Sequence, residues 1–328
     1  MDAYIRSVGS YVPARRMHND ELAEIVDTSH EWIVSHTGIH RRHIAAPEEA
    51  ASDLGIEASN RALANAGISG SEIDLILLAT STPDYLGLPA TACVVQHAIG
   101  ASHAGAMDIT AACTGFIYAL ETARVYVAAG AARQVLVVGS EVYSKSINWQ
   151  DRSTCVLFGD GAGAVVVGPA EEEGPSRVTD SILRSKGDRA ESLYRSHGGT
   201  RHPYETEGTD ESDLYLKMNG RQVYNFAVPA VIESIQTLLD RNGLSFDDVS
   251  YVVPHQANVR ILEAACKRAG FTFDKFYVNI GEYANTSAAS IPIALDEMQR
   301  KSLLTRGDLL ITVGFGGGLT YGGNLIYW

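Results

Sequence analysis

The feature that most narrows what this chain can fold into is an internal repeat. Leu63, Gly67, Ile68, Ser69, Glu72, Ile73, Ile76 and Leu77 recur as Leu239, Gly243, Leu244, Ser245, Asp248, Val249, Val252 and Val253, at an offset of 243 − 67 = 176 residues. Downstream, Ala119-Leu120 returns as Ala294-Leu295 and Val138-Gly139 as Val313-Gly314, both at an offset of 175. Helix, glycine turn, acidic turn, strand, alanine-rich helix and strand are thus played twice. One such unit matches easily by chance; register held to one residue over four elements points to duplication. A duplicated chain builds a pseudo-twofold structure with a site where its halves meet.

The strands within the repeat are unbroken apolar runs: Leu75–Ala79, Val135–Val138, Ala164–Val167, Tyr251–Val253 and Leu309–Val313. Such runs suit strands covered by helices on both faces. Helical patterns lie between them, as at Thr114–Ala129 and Val259–Ala269, which makes the class α/β. The repeat divides the chain into an N-terminal half (1–170), a C-terminal half (214–328) and a polar excursion without a counterpart (171–213), expected as a surface lid over a cleft.

Charge and cysteine content exclude several functions. The 328 residues carry 26 basic and 39 acidic side chains, a net charge of −13, which argues against nucleic acid as partner. No apolar run approaches the ~18 residues of a membrane span, and no leader pattern follows Met1. Cys93, Cys113, Cys155 and Cys266 form no Cys-x-x-Cys pair, so neither zinc nor a disulfide scaffold is expected, and a cytoplasmic protein with free thiols is the simplest reading. His40 and His43 have no acidic third ligand nearby, so no metal is expected there.

Three residues are candidates for chemistry. Cys113 follows small residues and precedes the apolar helix of Phe116, Ile117 and Leu120, a strand-to-helix turn with the thiol at a helix N-terminus. The helix dipole stabilises a thiolate there by up to ~2 kcal/mol, which brings the thiol to about neutrality. His255 ends a strand, where clefts open in α/β sheets. Asn285 precedes the repeat's second small-residue helix, as a donor or a helix N-cap. The glycine clusters Phe158–Gly163 and Gly314–Gly318 sit next to strands, so a Rossmann phosphate turn is not expected; the second is a turn or a source of oxyanion-binding N–H groups. The order Cys, His, Asn also occurs in papain-like proteases, but the flanking residues of those proteases are absent.

Nearly end to end, the chain resembles β-ketoacyl-acyl carrier protein synthase III. The resemblance rests on Gly9–Pro13, Asp27–Val34, Thr37–Ile44, Ala111–Phe116, Phe158–Gly163, Pro254–Ile261, Asn285–Ser290 and Phe315–Gly318. It implies a thiolase-like fold of duplicated αβαβα layers and a cytoplasmic homodimer that needs no cofactor and binds no metal, nucleic acid or membrane. The implied reaction condenses an acyl-CoA primer with malonyl-acyl carrier protein, with loss of CO2, to start type II fatty acid synthesis. The alternative is a related condensing enzyme of secondary metabolism with the same triad.

By the resemblance, Cys113 is the nucleophile, Cys113 and Gly317 supply the oxyanion hole, and His255 and Asn285 stabilise the enolate. Thr28, Trp32, Arg152 and Asn258 match CoA-pocket positions, and Phe315 a ring beside the catalytic centre. Arg260, Lys267 and Arg268 lie on the implied carrier-docking helix. His36 stands where the family usually has Arg, Asn225 where Lys is frequent, and Leu88 where Phe is common; a smaller Leu88 implies room for longer or branched primers.

Overall fold

The apolar runs form strands, and the nine strands of the main sheet fall into two groups with the same wiring. The computed structural model describes residues 2–172, 174–204 and 209–328. The first group holds β1 (Ala3–Tyr11), β2 (Leu75–Ala79), β3 (Gly105–Ile109), β4 (Val135–Glu141) and β5 (Gly161–Pro169), in the spatial order β3-β2-β4-β5-β1. The second holds β6 (Arg177–Ser185), β7 (Tyr251–Pro254), β8 (Leu309–Gly316) and β9 (Thr320–Tyr327), in the order β7-β8-β9-β6. In both groups the strands around the repeated helix pair in parallel, Leu75 with Val135 and Tyr251 with Leu310, and the next strand returns antiparallel. Where the second group would need a mate for β3, there is one isolated parallel bridge, Val252 to Phe276. The groups join where β1 meets β6, Ala3 opposite Val178.

Six helices matter for the site: α1 (His30–Thr37), α2 (Ala51–Ala66), α3 (Gly115–Ala128), α4 (Gly220–Asn242), α5 (Val259–Ala269) and α6 (Ser290–Arg300). α2 covers the outer face of the first group and α4 that of the second, while α3 and α6 lie between them and touch strands of both. The result is five layers, αβαβα. Ile76, Leu78, Leu136 and Val138 point outward onto Leu54, Ala58 and Ala62 of α2. Their neighbours Leu77 and Val137 point inward onto Phe116, Leu120 and Leu295 of the central helices. Both faces of these strands are buried, which is why the sequence shows no polar alternation. Each such side chain, fully buried, contributes about 1.5–3 kcal/mol. Among the described residues no helix is long and apolar enough to cross a membrane.

One stretch of the expected excursion lies at the centre of the fold. Residues 177–185 form β6, paired along its length with β9 and occupying in the second group the place of β1 in the first. Its sequence, Arg-Val-Thr-Asp-Ser-Ile-Leu-Arg-Ser, buries Val178 and Ile182 between polar residues, so it reads as surface. Beyond it, Leu193–Arg195 pairs antiparallel with Leu216–Met218. Glu173, Glu205, Thr206, Glu207 and Gly208, also within 171–213, lie outside the described residues.

Candidate active site

Both central helices are entered through a tight turn, Ala112–Thr114 before α3 and Ser287–Ala289 before α6. The turns are mates in the repeat (287 − 112 = 175), and so are Cys113 and Ala288. Each opens on a non-glycine residue in the left-handed region, Ala112 at φ 46° and Ser287 at φ 49°. Such a conformation costs about 1–3 kcal/mol and persists only where the surroundings dictate it. Here the opposing strands dictate it through a second pair of mates, Gly139 and Gly314. A Cβ on Gly139 would collide with the Ala288 carbonyl oxygen. One on Gly314 would lie 2.9 Å from the Ile117 side chain, and one on Gly316 2.7 Å from the Cys113 nitrogen. Bare strand backbone therefore lets each turn seat against the opposite half.

This packing places Cys113, His255, Asn285, Phe315 and Gly316 around one cavity of about 120 Å³. Cys113 is 4% exposed. His255 is 1% exposed at the end of β7, its N–H donating to the Val313 carbonyl at 2.7 Å. Its Nδ1 lies 2.8 Å from Ser290 Oγ, and the Phe315 ring meets the imidazole edge-on at 5.6 Å. The Asn285 backbone is held at both ends: its N–H donates to the Leu157 carbonyl at 2.9 Å, and its carbonyl accepts from Gly159 N–H at 3.0 Å. Its Oδ1 accepts the Ser287 N–H at 2.8 Å, which leaves the amide NH2 as donor. The Phe158–Gly163 cluster thus serves packing, since a Cβ on Gly159 would lie 2.7 Å from the Tyr283 carbonyl oxygen. Leu193 and Met218, from the pair of short strands beyond β6, also line the cavity.

Burial governs the electrostatics. It pushes the His255 pKa down to about 3, so the ring is neutral at pH 7 and carries one N–H. It pushes the Cys113 thiol up to about 12. The expected fall toward neutrality does not survive in the structure, because the dipole's gain is smaller than the cost of charging a sulfur shut away from water. Burial likewise raises Cys155 and Cys266, each to about 11.

A second cluster lies at the mouth, on α1 and the start of α5. The Trp32 and His36 rings stack at 4.3 Å, and the Arg152 guanidinium sits 5.0 Å from the Trp32 ring centre. Arg152 also donates to the Asp27 carbonyl at 2.8 Å. Asn258 caps α5 through its Oδ1 and donates from Nδ2 to the His36 carbonyl at 3.0 Å. Thr28 Oγ1 is buried with no hydrogen-bond partner among the described residues. Arg260, Lys267 and Arg268 are exposed on α5, and Arg260 donates to the Ser35 carbonyl at 2.7 Å. Gly317 lies beside Ala112 and, with Gly318, lines an adjoining 290 Å³ cavity. Leu88 stands apart, 87% exposed.

Sequence reasoning passes over Glu141, fully buried and pushed up to about 7 by that burial, although it accepts hydrogen bonds from Ser81 N–H and the Thr82 hydroxyl. A wider cleft of about 1090 Å³ lies elsewhere, but its charges largely neutralise one another, Arg41 with Glu282, Arg300 with Asp296 and Lys301 with Glu297. Among the described residues no group of three or more His, Cys, Asp or Glu could hold a metal ion.

The family profile described as 3-oxoacyl-[acyl-carrier-protein] synthase III matches residues 107–187, and the profile for the C-terminal part of that synthase matches 239–328. A β-ketoacyl-[acyl-carrier-protein] synthase III of Caldanaerobacter subterraneus is 47% identical over 326 residues, covering 99% of this chain and 98% of its own length. The crystal structure of 3-oxoacyl-[acyl-carrier-protein] synthase III from Aquifex aeolicus superposes with a TM-score of 0.91 at 42% identity, covering 99% of this chain and all (100%) of its own. The priming β-ketosynthase of the R1128 polyketide pathway superposes at 0.90 with 35% identity, covering 99% of this chain and 96% of its own.

A thiol raised by burial makes a prediction for the free protein. The rate of Cys113 alkylation, followed on its peptide by mass spectrometry, should climb about tenfold per pH unit from about pH 7 to about pH 9 without levelling. A plateau centred near pH 7 would show that the helix dipole, not burial, dominates.

Proposed function

We propose a function from one premise, that the chain belongs to the β-ketoacyl-acyl carrier protein synthase III family. It condenses an acyl-CoA primer with malonyl-acyl carrier protein to give a 3-oxoacyl-acyl carrier protein, CO2 and CoA, the opening step of type II fatty acid synthesis. The observation that carries this reading is the convergence of Cys113, His255 and Asn285 on one buried cavity. The higher identity is to relatives named for that synthase, 47% against 35% for the polyketide priming enzyme, which favours fatty acid synthesis over a secondary pathway.

In the first half-reaction the Cys113 sulfur bonds to the primer's carbonyl carbon, the bond from that carbon to the CoA sulfur breaks, and the thiol proton leaves on CoA. The N–H groups of Cys113 and Gly317 hold the transient oxyanion. In the second, the malonyl thioester oxygen accepts from His255 Nε2–H and the Asn285 amide. Its carbon–carbon bond to CO2 breaks, and the electron pair becomes an enolate. That carbon attacks the Cys113 thioester, and the released thiolate takes a proton from solvent. Neutral donors suit this oxygen, because an imidazolium is too costly so deep in the protein. No cofactor enters this scheme. Thr28, Trp32, His36, Arg152 and Asn258 hold the CoA, and Phe315 lies beside the reacting carbons.

The partner surfaces follow from exposure. Lys267 and Arg268, with Arg260, offer an acidic carrier a basic face beside the mouth. The edge strand β3 exposes Met107 and lies in the half that exposes Tyr85, Leu86 and Leu88, so two copies pair through that edge into a homodimer. Leu88 then reaches the partner's acyl pocket. Four free cysteines suit a cytoplasmic protein.

Intact-mass measurement after mixing with acyl-CoA tests the core reading: one thioester should form, map to Cys113 and vanish in Cys113→Ser. Label on Cys93, Cys155 or Cys266 would overturn it. Reversing Lys267 and Arg268 to Glu should raise the KM for malonyl-carrier several-fold and leave acylation by CoA primers unchanged; equal effects on both would remove the docking role. Leu88→Phe should shift acylation toward acetyl-CoA and away from butyryl- and hexanoyl-CoA. An unchanged profile, or a monomer by sedimentation, would separate Leu88 from the acyl pocket.

A further inference from the structure

The condensation needs His255 to present an N–H, and a neutral imidazole has only one. Which ring nitrogen holds it is settled on the other side of the ring. Against His255 Nδ1 lies the hydroxyl of Ser290, at 2.8 Å, and the Ser287 backbone carbonyl also reaches the ring. Ser290 is the first residue of α6 and is buried. Its Oγ also lies 2.8 Å from the Ser287 carbonyl oxygen and accepts from Gln256 N–H at 3.4 Å. The single hydroxyl proton thus has two acceptors within reach, and the choice fixes the tautomer. If it goes to the Ser287 carbonyl, Nδ1 must carry the ring proton and donate to Oγ, leaving a lone pair on Nε2. If it goes to Nδ1, the ring proton must sit on Nε2.

Resting on the condensing function above, we propose that Ser290 is a positioning residue: its hydroxyl donates to His255 Nδ1 and thereby fixes the ring proton on Nε2, the atom that holds the malonyl thioester oxygen. Burial strengthens the demand, since a ring held near pKa 3 cannot serve both sides as an imidazolium. The Ser287 carbonyl loses the hydroxyl in this arrangement, while the Ser287 N–H stays on Asn285 Oδ1. The turn and the first residue of α6 together therefore orient both donors, His255 through Ser290 and Asn285 through Ser287. The repeat gives this position no equivalent, because the mate of Ser290 is Gly115 (290 − 175), which has no hydroxyl.

The test begins with the unmodified protein. Nitrogen NMR of the imidazole-labelled enzyme at neutral pH should show His255 with a protonated Nε2 and an unprotonated, hydrogen-bonded Nδ1. A protonated Nδ1 would overturn the proposal without any variant. Ser290→Ala should then slow CO2 release from malonyl-carrier about a hundred- to a thousandfold, the usual loss for one oxyanion donor. Acylation of Cys113 by acyl-CoA should change no more than a few-fold, which also reports that the variant is folded. Ser290→Thr keeps the hydroxyl and should restore most of the decarboxylation. Decarboxylation unchanged in Ser290→Ala, or lost equally in Ser290→Thr, would refute the role. If the wild-type protein neither acylates on Cys113 nor releases CO2, the condensing function itself has failed, an outcome distinct from these.

Discussion

Everything at the centre of this molecule depends on two short turns packing against glycine backbone at the pseudo-twofold axis. Gly139 of one half admits the Ala288 carbonyl, and Gly314 and Gly316 of the other admit the turn that carries Cys113. A methyl group at Gly139 or Gly316 would separate the halves by more than a packed core tolerates. With the turns seated, α3 and α6 run back between the two strand groups and complete the middle layer. The left-handed residues Ala112 and Ser287 are then imposed by that seating.

Duplication supplies the frame, and divergence supplies the chemistry. The two turns are alike in backbone, yet one carries Cys113 and the other Ala288, preceded by Asn285. His255 likewise stands where the first half has Ala79. The proposed nucleophile therefore comes from one half and both proposed donors from the other, and they face each other only because the halves do. The same depth that brings them together decides their charge: a neutral imidazole, an amide and a protonated thiol are the forms that burial favours. A site built of neutral donors suits an enolate oxygen, whose negative charge forms only during the reaction.

Much of this was legible in the sequence because the signals were local. Unbroken β-branched runs marked strands buried on both faces, and Leu75–Ala79 and helix Val259–Ala269 have the boundaries their patterns suggest. Cys113, His255 and Asn285 each stood at an element's end with an informative flank. What was illegible depends on tertiary contact. β6 buries only Val178 and Ile182 between polar residues, so its central position is visible only through its pairing with β9. The Cys113 thiol is set by the protein around it, which no helix-end argument contains. Ser290 lies among other small residues, and only the approach of His255 from a distant strand gives its hydroxyl a task.

In the proposed mechanism His255 and Asn285 stabilise an enolate independently of the nucleophile. CO2 release from malonyl-acyl carrier protein by a Cys113→Ala protein, with no acyl-CoA present, tests it most directly. That protein should still decarboxylate, and adding His255→Ala should lower the rate about 10²–10³-fold. Equal rates for the single and double variants would contradict the account.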